Sequence, residues 1–282
     1  EATPLRVFSF LELTGVRSKR PPEEILAQAL DQVGNLAHPR CSASLSPHAP
    51  YSTSPELLRL CGKASREKDL PIATHIAESQ DEFDMFAHAR GKMFTWLQRN
   101  GRDMTDCGRG TPVAHLERAG LLNRHLLAIH ANVLEADDIA SLARAGAHVV
   151  HCPQSHDYFQ HPPFPRKSLA DAGVNLCLGT DSLATTRKDG RRNPRLNLFD
   201  EMRMLAEKDR TVSSEAIVRM ATINGARALG MSGRRGELSP ETLADLIAVP
   251  HAGKVADSYE AVVHHTSTIS ASMVDGRWAI AP

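Results

Sequence analysis

A chain of 282 residues with 41% hydrophobic and 23% charged side chains has the composition of an ordinary globular protein with room for a sizeable core. Its 33 basic residues balance 33 acidic ones, which leaves no broad positive field for a nucleic acid or an anionic membrane; a small molecule is the expected partner. Five scattered cysteines with no C-x-x-C pair argue against a disulfide framework or a thiolate zinc site and fit a reducing, cytoplasmic setting, and no apolar run reaches the ~20 residues that span a bilayer.

The chain opens on Glu1-Ala2-Thr3-Pro4 without an initiator Met or a signal-peptide pattern, which reads as a beginning inside a longer protein. Short apolar, β-branched runs then recur at Leu5–Leu13, Cys41–Leu45, Pro71–Ile76, His125–Val133, Ala147–Cys152 and Val174–Thr180. Longer stretches with helical spacing separate them, and that alternation is expected of a parallel sheet built from βα units. After the second run, Ser54-Pro55-Glu56 offers a cap residue followed by proline at the first helical position, and Leu57, Leu60, Cys61 and Ala64 then share a face. After the fourth, Ile139, Leu142 and Ala143 mark another helix that Gly146 stops.

The connection from Ser79 to Arg124 is far longer than ordinary loops, so a lid or helical insertion is expected there. Beyond the sixth run, Leu196–Lys208 and Ser213–Leu229 read as helices, the second ending at Gly230. The tail reads as a small β appendage, with strands at Leu246–Val249, Ala261–Val263 and Ser272–Asp275 and a turn at Asp275-Gly276. The expected division is 1–235 for the α/β part and 236–282 for the appendage.

Four histidines, His48, His75, His130 and His151, fall at or just beyond the C-terminal ends of predicted strands, the ends that line the active site of an α/β barrel. In Thr74-His75-Ile76-Ala77-Glu78 a histidine leaving a strand can bind a metal, and Glu78 can turn back to handle a proton; a packed strand-end histidine before a solvated helix is the bland alternative. In Leu178-Gly179-Thr180-Asp181-Ser182 a carboxylate ends an apolar strand where it can meet a metal or its water, or can simply cap a helix. His130 can polarise a substrate group or be structural. His48 sits between Pro47 and Pro50 in a stiff loop suited to substrate recognition or to a plain turn. His151-Cys152-Pro153-Gln154-Ser155-His156 is dense in polar groups for a βα loop. His115-Leu116-Glu117 matches half of an H-x-E zinc signature, but no P-C-x-x-C follows, so it reads as chance on a helix. The order of candidates along consecutive strand ends outweighs each taken singly.

The motifs PHAPYSTSPELL, THIAES, AIHANVL, VVHCPQSH, LGTDSLAT, ATINGARALG and LADLIAV together resemble the deaminase and chlorohydrolase branch of the amidohydrolase superfamily, over nearly the whole chain. The resemblance implies a distorted (β/α)8 barrel carrying one divalent metal ion, zinc or iron, with His75 as the ligand after strand five and Asp181 after strand eight. It implies that Glu78 and His130 flank the attacking water, with Asp181 also taking a proton, and that His48, Ser155 and Ser182 contact substrate. The implied reaction is deamination of an amino-substituted heterocycle, first a 6-aminopurine nucleoside derivative of the aminofutalosine kind, which the loop from Ser155 to Pro165 resembles; guanine, adenosylhomocysteine and triazine-type substrates stay open. The family's His-x-His, which supplies two further ligands from strand one, is found nowhere in the sequence. Leu5–Leu13 then corresponds to strand three, the chain to strands three to eight with part of a β-sandwich, and a non-catalytic binding module is the alternative from another class. An opened barrel end also fits association into a homo-oligomer.

Overall fold

The computed structural model describes residues 5–36, 40–186 and 194–282; Glu1-Ala2-Thr3-Pro4 lies outside the described residues. In chain order the elements are β1 (Val7–Leu13), α1 (Pro22–Asn35), β2 (Cys41–Pro47), α2 (Pro55–Lys68), β3 (Ile72–Ile76), α3 (Gln80–His88), α4 (Lys92–Arg99), α5 (Pro112–Arg118), β4 (Leu126–His130), α6 (Ala136–Ala145), β5 (His148–His151), α7 (Pro153–Tyr158), α8 (Arg166–Asp171) and β6 (Asn175–Leu178). There follow α9 (Leu198–Lys208), α10 (Ser214–Ala221), α11 (Ile223–Ala228), β7 (Leu246–Ala248), α12 (Ser258–Val263), β8 (Ala271–Val274) and β9 (Arg277–Ile280). Strands β1 to β6 form one six-stranded sheet in sequence order, as βα alternation demands. All six expected strands are present, each within a few residues of its sequence bounds.

By contacts the chain divides into two compact units, one of residues 6–150 and 161–175, the other of 1–5, 151–160 and 176–282. In the first, β1 pairs in parallel with β2 from Val7↔Cys41 to Leu13↔Pro47, and β3 with β4 from Ile72↔Leu126 to Ile76↔His130. Leu45, Ile72, Ile76, Leu126 and Ala128 of the sheet and Leu57, Leu58 and Cys61 of α2 are fully or almost fully buried. Helix α2 starts where expected: Ser54 caps it by accepting the Leu57 N–H at 3.3 Å, and Pro55 fills its first turn, where a missing N–H costs nothing. Gly146 stops α6 in the left-handed region at φ 67°. The long connection holds three helices, α3 to α5, around buried Met85, Phe86, Leu97 and Cys107. His115 lies on α5, buried beside Phe86.

In the second unit, β7, β8 and β9 form a three-stranded antiparallel sheet. The Asp275-Gly276 turn has both residues at positive φ, 55° and 73°, the requirement of a two-residue hairpin whose strands keep their twist. Two expectations fail here. The helix expected over Ser213–Leu229 is broken at Thr222, with φ −129° and ψ −94°, into α10 and α11; the Thr222 hydroxyl donates to the Val218 carbonyl at 2.7 Å, a back-bond that bends helices. Ala261–Val263, expected as a strand, is the end of helix α12. Three apolar residues carry no period of their own, and packing of α12 on α9 and α10 decides the outcome. Among the described residues no helix is long and apolar enough to cross a membrane.

Candidate active site

Three consecutive strands deliver the first group of candidates. Strand β2 ends at Pro47, so His48 is the first residue of its loop, while His75 lies one residue before the end of β3 and His130 closes β4. The rings follow in a row: His48 and His75 centroids are 4.9 Å apart, and His75 stacks on His130 at 5.5 Å. Backbone bonds fix the spacing. The His48 N–H donates to the Leu13 carbonyl at 2.9 Å, and the His48 carbonyl accepts the His75 N–H at 2.8 Å.

That carbonyl also sits 2.8 Å from Nδ1 of the His75 ring. A carbonyl can only accept, so Nδ1 carries the proton and Nε2 keeps the lone pair, the tautomer a metal ligand needs. The His48 ring bonds through Nδ1 to the Ser52 hydroxyl at 2.6 Å. Burial, with the His75 ring second, lowers its tendency to take a proton below the ordinary imidazole value. The neutral ring is favoured there over the cation.

Past the strand ends the backbone enters the left-handed region at Ala77 (φ 49°), His130 (φ 73°) and Ala131 (φ 51°). Side chains disfavour that region, and such strain persists only where the surroundings enforce it. Here they do: the Ala77 carbonyl accepts the N–H groups of Asn132 and Val133 at 2.9 and 3.0 Å. Glu78 is held at both ends of its backbone. Its N–H donates to the Glu82 carboxylate at 2.8 Å, and its carbonyl accepts from the Asn132 side chain at 3.0 Å. Its own carboxylate, about a quarter exposed, approaches His130 Nε2 to 3.8 Å. A carboxylate with water access beside a buried imidazole can exchange protons with it.

Glu82 is fully buried in the first turn of α3, and burial, only partly offset by the backbone N–H groups of Glu78 and Ala77, pushes its carboxyl up to about 8. Neither Glu82 nor Asn132 stands out as a site residue in the sequence. The Ser-x-x-Glu spacing of Ser79 and Glu82 was a legible signal: Ser79 accepts the Glu82 N–H at 3.2 Å as in a capping box, but Glu82 reaches back to Glu78 instead of Ser79.

The other candidates belong to the second unit. Asp181 follows β6 in the left-handed region at φ 53°, and its carboxylate accepts the Thr185 hydroxyl at 3.2 Å. Ser182 caps the short turn after it, taking the Ala184 N–H at 3.0 Å. Ser155 is buried in α7. Beside it, the fully buried Glu201 of α9 binds the Gln154 N–H at 2.9 Å and its side-chain amide at 2.7 Å. Burial is the largest cause raising Glu201 to about 7, with Asp200 and Asp181 adding to it against the Gln154 bonds. The His151 and His156 rings meet edge to face at 5.2 Å.

His48, His75, Glu78 and His130 are thus brought together in one unit, and Ser155, Asp181 and Ser182 lie in the other. Among the described residues no group of three or more His, Cys, Asp or Glu side chains is placed to hold a metal ion. Since zinc sites take at least three protein ligands, the described residues do not by themselves make a complete metal centre.

Parallel βα strands with functional groups at their C-terminal ends define an α/β protein of the barrel-enzyme kind. The amidohydrolase family profile matches residues 8–279, and the chain belongs to that family. It is 36% identical over 252 residues to a 5-methylthioadenosine/S-adenosylhomocysteine deaminase of Syntrophobacter fumaroxidans, covering 85% of this chain and 52% of that one. It is 34% identical over 254 residues to a 5'-deoxyadenosine deaminase of Methanoregula boonei, covering 87% and 51%. The chain spans about half the length of the curated relatives it matches. Among solved structures, the Helicobacter pylori aminofutalosine deaminase in complex with methylthio-coformycin superposes with a TM-score of 0.84 at 19% identity, over 99% of this chain and 67% of that one. An adenosine deaminase from Xanthomonas campestris with bound zinc gives 0.74 at 24% identity, over 98% and 60%. The expected family and α/β barrel fold, represented here by six strands, are therefore borne out.

Proposed function

We propose that this chain carries the proton-transfer half of the active site of a hydrolytic deaminase acting on a 6-aminopurine nucleoside. The observation that supports it best is the row His48, His75, His130 with Glu78 at the ends of three consecutive strands. The adenosine-derived names of both curated relatives above support the substrate class. In this reading water adds to the ring carbon bearing the amino group. Glu78 carries one of the two water protons to the ring nitrogen, which keeps it, and the second, released as the adduct hydroxyl becomes the 6-oxo group, to the amino group, which leaves as ammonia as its C–N bond breaks; His130 donates a hydrogen bond to the oxygen of the adduct. His48, Ser155 and Ser182 contact the substrate. The products are the 6-oxo nucleoside and ammonia.

His75 and Asp181 are the ligands this chain offers to a divalent ion, zinc or iron; such an ion supplies an ionised water at neutral pH when bound. Two ligands do not complete a site, and no step above is routed through the ion. On the same reading residues 1–235 are barrel, 236–282 are part of a composite β-sandwich, the protein works in the cytoplasm with its five unpaired cysteines reduced, and copies associate as a homo-oligomer. The incomplete ligand set favours one second reading, a non-catalytic binding module.

The test is ammonia release by the full-length protein from 5'-methylthioadenosine, S-adenosylhomocysteine, 5'-deoxyadenosine, aminofutalosine, guanine and a chlorotriazine. Turnover of at least one adenine nucleoside well above the other classes is expected. Turnover of guanine or triazine alone would overturn the substrate class, and binding of a nucleoside without turnover would favour the binding module.

A further inference from the structure

Arg102, fifty residues downstream of the His48 loop and unmarked by any motif, is buried to 2% side-chain exposure. A guanidinium has five N–H donors in a rigid fork, and each has an acceptor here. Nε donates to the Tyr51 carbonyl at 2.9 Å, and Nη2 to the Pro50 carbonyl at 3.2 Å and Asp106 Oδ2 at 2.8 Å. Nη1 donates to the Asp103 carbonyl and to Asp106 Oδ1, both at 2.7 Å. The group also lies 5.7 Å from the Phe86 ring centre. Two of its acceptors are thus backbone atoms of the loop that begins at His48.

That loop is a short lever. Pro47 just before it and Pro50 within it have fixed φ angles, and its first carbonyl, that of His48, receives Nδ1–H of His75. The Tyr51 ring packs on the buried Met85, Phe86, Leu97 and Cys107 cluster and meets His48 edge-on at 5.8 Å. Apolar burial holds the ring, but it is non-directional and cannot orient a carbonyl. The sheet bonds hold the His48 end of the loop, and the Arg102 fork adds a directional hold on its Pro50 and Tyr51 carbonyls, anchored from behind by the bidentate Asp106 carboxylate.

We propose that Arg102 is a positioning residue: it fixes the Pro47–Ser52 loop so that the His48 carbonyl holds His75 in its Nδ1–H tautomer, leaving Nε2 to face the chemistry. This rests on the reading of His48 and His75 as site residues. Lysine keeps the charge, but with a single ammonium it cannot reach two loop carbonyls and a carboxylate together.

The test uses full-length wild type, Arg102→Lys and Asp106→Asn, labelled with 15N-histidine, with and without a chelator; Asp106→Asn leaves the guanidinium in place and removes the charge of its anchor together with one of its two acceptor oxygens. The His75 ring resonances, assigned by their loss in His75→Gln, report the tautomer directly in the folded protein. Wild type is expected to show one tautomer, Nδ1–H. Arg102→Lys is expected to populate both once metal is removed, with kcat/KM lower by about 10- to 100-fold, the range seen when the partner that orients a ligand is lost. Asp106→Asn is expected to change in the same direction by less, and it keeps the test decisive if Arg102→Lys does not fold. A single Nδ1–H tautomer in every folded variant overturns the proposal. Because the tautomer is read without substrate, a wild-type protein inactive on every nucleoside would refute the deaminase reading and leave this result standing.

Discussion

Replacing Glu82 by glutamine removes one proton-binding group and keeps the size, and the amide oxygen can still accept the Glu78 N–H that Glu82 holds at 2.8 Å. Burial lifts the Glu82 carboxyl from an ordinary 4.5 to about 8. Below pH 4.5 the group is protonated folded and unfolded alike, and its contribution to stability is fully present. Between 4.5 and 8 the native protein keeps the proton while the unfolded chain gives it up. Unfolding then releases a proton, and stability falls by ~1.4 kcal/mol per pH unit until the folded group ionises too. From pH 5 to pH 8 the wild type should therefore lose about 3.5 kcal/mol relative to Glu82→Gln, which has no such group. Urea unfolding of both proteins at pH 5, 6, 7 and 8 measures this, because the other titrating groups cancel in the difference. A wild-type minus variant difference constant to within ~0.5 kcal/mol across that range would refute the assignment of a buried, proton-holding carboxyl beside Glu78.

Two further substitutions probe the supports of the site. Gly62 faces the Gly120 backbone, where an added Cβ would lie 2.5 Å from the carbonyl oxygen; Gly62→Ala should destabilise by about 1–3 kcal/mol from overpacking, read as a fall in Tm. Glu201→Ala leaves the Gln154 N–H and amide without the carboxylate that holds them, and should cost about 1–3 kcal/mol in denaturant unfolding at pH 8.

Much of this architecture is legible in the residues because it depends on local pattern. The β-branched runs fix the six strands, Ser54-Pro55 starts α2 and Gly146 stops α6. A histidine at the end of a short apolar run is placed by the run itself, which is why His48, His75 and His130 meet as the spacing implies. The misses come from contacts between residues distant in sequence. Arg102 is one charge among several in the long Ser79–Arg124 connection, and only the fold brings it to Pro50 and Tyr51. Gln154 and Glu201 are likewise far apart in sequence and joined only by α7 packing on α9. Ala261–Val263 shows the same limit in secondary structure, where three apolar residues fit a strand or a helix and tertiary packing selects the helix. Strand β9, all of it exposed, carries no buried face for an alternation to reveal.

The central claim, that Glu78 moves the proton in a deamination, is tested most directly by Glu78→Gln in the full-length protein. Glutamine keeps the size and the backbone bonds to Glu82 and Asn132 and removes the proton-carrying group. With metal content measured alongside, ammonia release from the best adenine nucleoside should fall by about 10²- to 10⁴-fold while metal stays bound. An unchanged rate at equal metal content would contradict the account.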